Sequence, residues 1–349
     1  MFRATTTAVA SAAVRPAFGG TIKQAAPRWL HSTALRNSTP NAALQEWTQK
    51  IQAQTNTMQD RADLNKARQL ALCLPNATTG AKGQTSSKHT TESVLAMSAG
   101  DTMPLGSEMV LFNPLLTEEV LGADGTERTF GPPGGLDQRM WASGSFEFEA
   151  ENQLKIGDNV KCDVVMERVE PKSGAKTGEM VLVTRKLVYS NDQGPVSTER
   201  RTHVYRRPRP ASERKYVPPS PAPQVAEVEE KASDFGWDFY ATRATLFRYS
   251  AATFNAHRIH LDPEYCRNEE GHPDCLVHGP LTATLLMNLI AASGPSRLKK
   301  FEYRATAPIK VEQTIRLRGA WTESDHRQAE LWALNEAGKV CMTARASLY

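Results

Sequence analysis

Between Leu281 and Ala292 the chain runs without a single charged residue, with Leu281, Leu285 and Leu289 recurring four apart, Leu286 and Ile290 beside them, and Gly294-Pro295 ending the run. A helix apolar on both sides must be buried. It is too short for a membrane span, which needs roughly 20 mostly apolar residues, and Thr282, Thr284 and Asn288 interrupt it. The segments C-terminal to it can supply the cover. Lys300 to Arg304, Gln313 to Trp321, Ala329 to Leu334 and Val340 to Leu348 are short and alternating, the last two separated by the turn Asn335-Glu336-Ala337-Gly338. One buried helix wrapped by an antiparallel sheet is the expected architecture, an α+β class.

The first half carries a second strand meander. Ser145 to Glu149 and Ser197 to Tyr205 alternate, Asn159 to Val169 is β-branched after Gly157-Asp158, and Glu179 to Tyr189 is rich in Val. Ahead of it, Asn41 to Leu74 has apolar residues at loose helical spacing, with Asp60 and Asp63 as capping candidates, and predicts one or two short helices. Pro75 to Thr91 reads as a surface loop. Between the halves, Pro208, Pro210, Pro218, Pro219, Pro221 and Pro223 lock φ and remove ladder donors, so 208–230 is expected to be a solvated linker. The organisation is then a leader over 1–37, a first domain over 42–207, the linker, and a second domain over 231–349.

The leader is inferred from charge. Arg3, Arg15, Lys23, Arg28 and Arg36 precede the first carboxylate, Glu46, in a segment rich in Ala, Ser and Thr, which is the composition of a mitochondrial transit peptide. The formal charge of +4 depends on it, because the remainder holds 37 basic and 38 acidic residues, a net charge of −1. That balance argues against nucleic acid as partner. Five scattered cysteines do not suggest a disulfide framework and fit a reducing compartment.

Chemistry concentrates in Phe254-Asn255-Ala256-His257-Arg258-Ile259-His260-Leu261-Asp262 and in His278-Gly279-Pro280 at the mouth of the buried helix. Asn255 and His260 are close enough for a bent loop to aim both at one small molecule. Gly279 lets a carbonyl oxygen approach a backbone N–H where the helix dipole favours developing negative charge. An imidazole can exchange protons at neutral pH. Together these describe proton abstraction beside a polarised carbonyl. Alternatives exist for each: His257 as a second proton carrier, Arg258 as a substrate contact or a brace to Asp262, and Trp141 as a core or interface residue.

The run from Tyr249 to Asp262 with His278-Gly279-Pro280-Leu281 resembles the hydratase motif of MaoC-like hot-dog proteins. It is most like the branch holding mitochondrial type 2 3-hydroxyacyl-thioester dehydratases and mesaconyl-CoA hydratases. Leu121-Gly122-Ala123-Asp124-Gly125 and Arg139-Met140-Trp141-Ala142-Ser143-Gly144 are similar to that branch's non-catalytic N-terminal hot dog. The resemblance implies a double hot-dog chain, two antiparallel sheets each wrapped around a helix, forming a pseudo-dimer in one polypeptide that could be monomeric. It also implies a hydro-lyase that dehydrates (3R)-3-hydroxyacyl thioesters to trans-2-enoyl thioesters in the mitochondrial matrix, in fatty acid synthesis, without cofactor or metal. The substrate would ride on acyl-carrier protein or CoA. His260 and Asn255 are the implied catalytic pair, and Gly279, His257, Arg258 and His278 the implied oxyanion and substrate-binding residues. Two departures stand out: the wider family has Asp where Asn255 stands, and relatives usually carry a Trp-rich segment where Glu108 to Phe112 stands.

Mesaconyl- or itaconyl-type CoA esters are the alternative substrates, and a basic side chain reaching a distal carboxylate would favour them. A hot-dog thioesterase usually needs a carboxylate on the central helix, and Leu281 to Ala292 has none. A non-catalytic acyl-binding subunit would not need His260. Zinc on His257, His260, Cys266, His272, Cys275 and His278 is disfavoured by their irregular spacing and the lack of a Cys-x-x-Cys pair.

Overall fold

The structure, a computed structural model, describes residues 40–74, 90–174, 178–218 and 231–349. The leader expected over 1–37 lies outside the described residues, as do most of the loop expected over 75–91 and the linker from 219 to 230. Pro40–Tyr349 is one compact unit. Its helical segments are α1 (Pro40–Gln52), α2 (Leu64–Ala71), α3 (Thr91–Leu95), α4 (Ala211–Arg214), α5 (Arg243–Thr253), α6 (Pro263–Tyr265) and α7 (Gly279–Ser293). Its strands are β1 (Thr55–Arg61), β2 (Gln138–Phe148), β3 (Asn159–Gly174), β4 (Gly178–Asn191), β5 (Gly194–Arg206), β6 (Phe235–Ala241), β7 (Leu298–Ala305), β8 (Gln313–Trp321), β9 (Gln328–Leu334) and β10 (Val340–Leu348). Among the described residues no helix is long and apolar enough to cross a membrane.

All ten strands join one antiparallel sheet in the order β1-β3-β4-β5-β2-β7-β10-β9-β8-β6. The first five strands of the sequence occupy one side and the last five the other. They meet at β2 and β7, where Gly144 faces Tyr303 and Phe146 faces Phe301. Pairing at this seam satisfies the edge of each half with the other, which is the double hot-dog arrangement.

In the second half the sheet curls around α7, where Leu281, Leu285, Leu286, Leu289 and Ile290 are fully buried. Truncating one of these leucines to Ala would cost about 2–5 kcal/mol. The first half contributes to the same core: Leu70 and Leu74 at the end of α2, Met109, Val110 and Phe146 all belong to it. Asn288 Nδ2 donates to the Leu105 carbonyl, and Gly106 passes so near Thr284 that an added Cβ would meet it at 2.7 Å.

Among the described residues the first half has no fully buried counterpart of α7; its α1 is partly exposed and joins the sheet through Leu44, Trp47 and Ile51, which cluster with Met166, Val181, Val183 and Tyr205. The eight-residue α2 is capped by Asp63, whose carboxylate accepts the Asn65 and Lys66 N–H groups, whereas Asp60 pairs with Lys66 and accepts the Phe112 N–H. A strand, β1, replaces part of the helix expected over 41–74, and α5 is a helix that the sequence did not announce. The expectation of a solvated tether over 208–230 changes for its described part. Arg214 pairs with Glu269 at 3.1 Å, the Tyr216 N–H donates to the Arg267 carbonyl, and Arg209 donates to the Glu270 carbonyl. Residues 208–218 are therefore docked on the second half.

Candidate active site

Helix α5 ends at Phe254, which adopts φ +50, and the Asn255 N–H caps it by donating to the Ser250 carbonyl at 2.8 Å. Asn255 Oδ1 then accepts the His257 N–H at 3.1 Å, a side-chain turn that bends the loop. A short helical turn over Arg258–His260 comes next and brings His260 under α7.

His260 is 9% exposed, and its Nδ1 lies 2.8 Å from the Leu276 carbonyl oxygen. A carbonyl only accepts, so Nδ1 carries the proton and Nε2 is left as the basic nitrogen. Burial pushes the His260 pKa down to about 4; the bond to Leu276 opposes this, and the positive charge of Arg139 adds to it. The ring is neutral at physiological pH, as a general base must be.

His260 stacks on His278 with centroids 3.6 Å apart and planes 20° apart. His278 is the N-cap of α7, so the His260 ring lies on the residue that precedes Gly279, the first residue of the helix. The Gly279 N–H has no acceptor within the helix and adds to the positive end of its dipole. An added Cβ there would stand 3.1–3.3 Å from Trp141, so any larger residue would have to push that side chain of the first half aside. Trp141 donates from Nε1 to the Tyr303 hydroxyl at 2.9 Å across the seam, which makes it an interface residue.

Two expected substrate contacts take other roles. His278 is fully buried, bonded to Ser250 Oγ at 2.9 Å, covered by His260 on one face and met by the Tyr249 ring edge, so it packs against the His260 ring and offers no exposed surface. Arg258 points outward: its guanidinium pairs with Asp262 at 2.7 Å and lies 4.3 Å from the Tyr265 ring centroid, making it the brace.

His257 is joined instead by a residue to which the sequence assigned no role of its own. Its Nε2 is 3.7 Å from Asp124 Oδ2, both groups are buried, and its ring stands edge-on to His260 at 5.5 Å between centroids. Burial first, then the neighbouring His260 and Arg139, hold the His257 pKa well below the ordinary range. Asp124 reaches it from the first half, where the Arg258 N–H donates to its carbonyl oxygen and Gly125, at φ +79, passes against the Ala256 carbonyl so closely that no side chain fits. The glycine-punctuated run Leu121-Gly122-Ala123-Asp124-Gly125 was the available signal. Among the described residues no cluster of three His, Cys, Asp or Glu side chains is arranged to hold a metal ion.

Known proteins bear on this arrangement. The family model for hydroxyacyl-thioester dehydratase type 2 matches residues 106–311. Mesaconyl-C(4)-CoA hydratase of Chloroflexus aurantiacus is 32% identical over 200 residues, 57% of this chain and 68% of that protein. The mitochondrial hydroxyacyl-thioester dehydratase type 2 of Schizosaccharomyces pombe is 27% identical over 260 residues, 67% of this chain and 83% of that one. Among solved structures, HtdX of Mycobacterium tuberculosis superposes with a TM-score of 0.57 at 16% identity, covering 85% of this chain and all of HtdX. A MaoC-like dehydratase from Phytophthora capsici gives 0.56 at 15% identity, covering 86% and 98%. The structural likeness supports the hot-dog fold, and the sequence likeness the lineage: the chain belongs to the hydroxyacyl-thioester dehydratase type 2 family.

Proposed function

We propose that the site interconverts (3R)-3-hydroxyacyl and trans-2-enoyl thioesters, with His260 and Gly279 as its centre. The observation that carries this reading is the stack of a neutral, tautomer-fixed imidazole on the residue that opens α7. It puts a base and a carbonyl-polarising N–H side by side. With the thioester oxygen on the Gly279 N–H, the C2 proton is acidified and His260 Nε2 removes it. The electron pair left on C2 forms the double bond as the C3–oxygen bond breaks. The proton held by His260 passes to the departing hydroxyl, so water leaves and the ring returns to its neutral form. Asn255 cannot exchange a proton and acts by holding that water. The Asp124 carboxylate, beside His257, stabilises the positive charge that passes through the histidine pair.

The domain roles accord with the same geometry: 231–349 supplies the proton chemistry and 42–207 closes the substrate channel with Trp141 and Asp124. The Schizosaccharomyces pombe and Saccharomyces cerevisiae relatives are described as mitochondrial, and the acid-free leader supports import of this chain into the matrix. For the substrate, an acyl-carrier-protein thioester of fatty acid synthesis is one reading. A CoA ester of a dicarboxylic acid is the second, favoured by the identity to mesaconyl-C(4)-CoA hydratase. The deciding experiment follows crotonyl thioester hydration by the loss of enoyl absorbance, on CoA and on carrier protein. Turnover with either supports the hydratase, their ratio names the carrier, and no turnover with both overturns the reading. Mature protein isolated from mitochondria should begin between Trp29 and Ser38.

A further inference from the structure

The inner face of the first-half sheet is polar where its counterpart is apolar. Facing inward along β4 are Val181, Val183, Arg185, Leu187 and Tyr189, and along β5 Ser197, Glu199, Arg201, His203 and Tyr205. Most of the charge there is compensated. Arg201 donates to Glu199 through Nε and Nη2, and Glu199 also accepts the Tyr189 hydroxyl at 2.7 Å. Glu108 bonds Ser197 at 2.9 Å, and burial raises its pKa, favouring the neutral acid. Arg139 has Glu127 at 3.8 Å.

Arg185 is the exception. It is 9% exposed, yet its guanidinium makes no hydrogen bond and no ion pair among the described residues; it only lies 4.5 Å from the centroid of the Phe130 ring. The carboxylate whose field it feels is Glu127, which already faces Arg139. Two guanidiniums thus share one acid. An unpaired buried charge is costly enough that a purely structural role would favour an apolar residue at this position.

Its place relates it to the reaction centre. Arg185 stands opposite Arg201, next along β5 on the same face is His203, and His203 stands opposite Trp141 of β2. Trp141 meets the His203 ring edge-on at 4.8 Å and also lies against Gly279. His203 senses Arg139, Arg185, Arg201 and His257 together, so these cations and the catalytic loop share one neighbourhood. From β2 to β4 is two strand spacings, roughly 10 Å. Arg185 therefore shares the inner face of the sheet with Trp141, the residue that touches Gly279, two strands away.

We propose that Arg185, with Arg139 beside it, is an anion subsite for a carboxylate at the far end of the acyl group, which makes short dicarboxylic acyl thioesters the preferred substrate class. The inference rests on the hydratase reading. It assigns the anion to the acyl chain because Arg185 is interior, whereas the phosphates of a CoA or pantetheine arm remain at the channel mouth.

The test compares fumaryl-CoA with crotonyl-CoA, which differ by a carboxylate in place of a methyl group, on the full chain. The readout is the ratio of their kcat/KM values, in which effects on the CoA arm and on the shared chemistry cancel. Arg185→Met is expected to lower the fumaryl-to-crotonyl ratio about a hundredfold and Arg185→Lys about tenfold. Removing an unpaired buried charge should leave the thermal midpoint of Arg185→Met at or above wild type. If that variant fails to fold, the Lys variant carries the test alone. A ratio unchanged in the folded variants overturns the subsite, including the case in which Arg185 binds a carrier phosphate and both rates fall together. Wild-type protein that hydrates crotonyl-CoA with an unchanged variant ratio leaves the hydratase standing. Wild-type protein that hydrates neither ester overturns the hydratase, and the subsite with it.

Discussion

The two halves of the sheet have the same strand pattern but opposite interiors. Around α7 the inner face is a continuous apolar core; in the first half, the inner rows of β4 and β5 carry Arg185, Glu199, Arg201 and His203, and the helix packed beside them is α1, whose Leu44, Trp47 and Ile51 cluster with Val181, Val183 and Tyr205 at one end of those rows. One half wraps a fully buried helix, and the other sets a band of polar groups between two smaller apolar clusters. The division explains where chemistry sits. The half around α7 holds the His260 ring to within a hydrogen bond, because His260, His278, Ser250 and Leu276 are locked by packing. The polar band of the first half borders the site through His203, which meets Trp141 edge-on, while Trp141 lies against Gly279.

The comparison is broken most severely by separating the halves. A fragment beginning at Val225 holds His260, Asn255 and Gly279 but loses Leu70, Met109, Val110 and Phe146 from its core, the β2 partner of β7, and Asp124 from its catalytic loop. It should be insoluble or, where soluble, without detectable hydration, as measured by size exclusion and the enoyl assay. A stable, fully active monomer would show that the first half is an independent module.

Within the intact chain, His260→Ala should remove the base and lower kcat by about three powers of ten. A melting midpoint near wild type would assign that loss to chemistry. A well-folded variant at near wild-type rate would place the base elsewhere.

Gly279→Ala tests the contact between the halves at the reaction centre. The added methyl meets Trp141 at 3.1–3.3 Å, so Trp141 must shift and with it the seam bond to Tyr303. A loss of about ten- to a hundredfold in kcat, with less change in KM, is expected if the helix N–H is displaced from the carbonyl oxygen. An Ala variant with unaltered kinetics would free Gly279 from that role.

The sequence disclosed the half around α7 more fully than the half with the polar band, for the same physical reason. Apolar alternation is a consequence of burial on one face, so β8 and β10 have the bounds that periodicity predicts, and α7 extends the predicted helix by only a few residues. β1 was hidden because Thr55–Arg61 is an edge strand with Met58 as its only large apolar residue. α5 was hidden because apolar and polar residues are distributed around it without a stripe. In the site, His260, Asn255 and Gly279 were legible as a local motif. Asp124 was not, because its partnership with His257 depends on the docking of a distant loop. Arg185 was available in principle, as a charge at an inward position between Val183 and Leu187.

The smallest expected effect concerns Asn255. Asn255→Asp keeps the oxygen that accepts the His257 N–H, so the loop should retain its bend and the variant should keep activity within about tenfold. What should move is the pH profile. In the wild type, His260 is held neutral down to about 4, so kcat/KM should stay level through about pH 6.5 and fall only as pH approaches that lower value. Stability takes the same direction: a histidine whose folded pKa is depressed contributes stability above its unfolded pKa of about 6.5 and loses it as pH falls toward the folded one. His257 and His278 are depressed too, so the chain should become acid-labile below about pH 6. A carboxylate at position 255 favours the charged imidazoles, raising their pKa values and shifting the acid limb of the rate upward. Because the folded and unfolded pKa values then lie closer together, the same variant should also be less acid-labile. An Asp variant that is folded but inactive would show that the amide is specifically required to hold water, and an unshifted limb would place residue 255 out of electrostatic reach of His260.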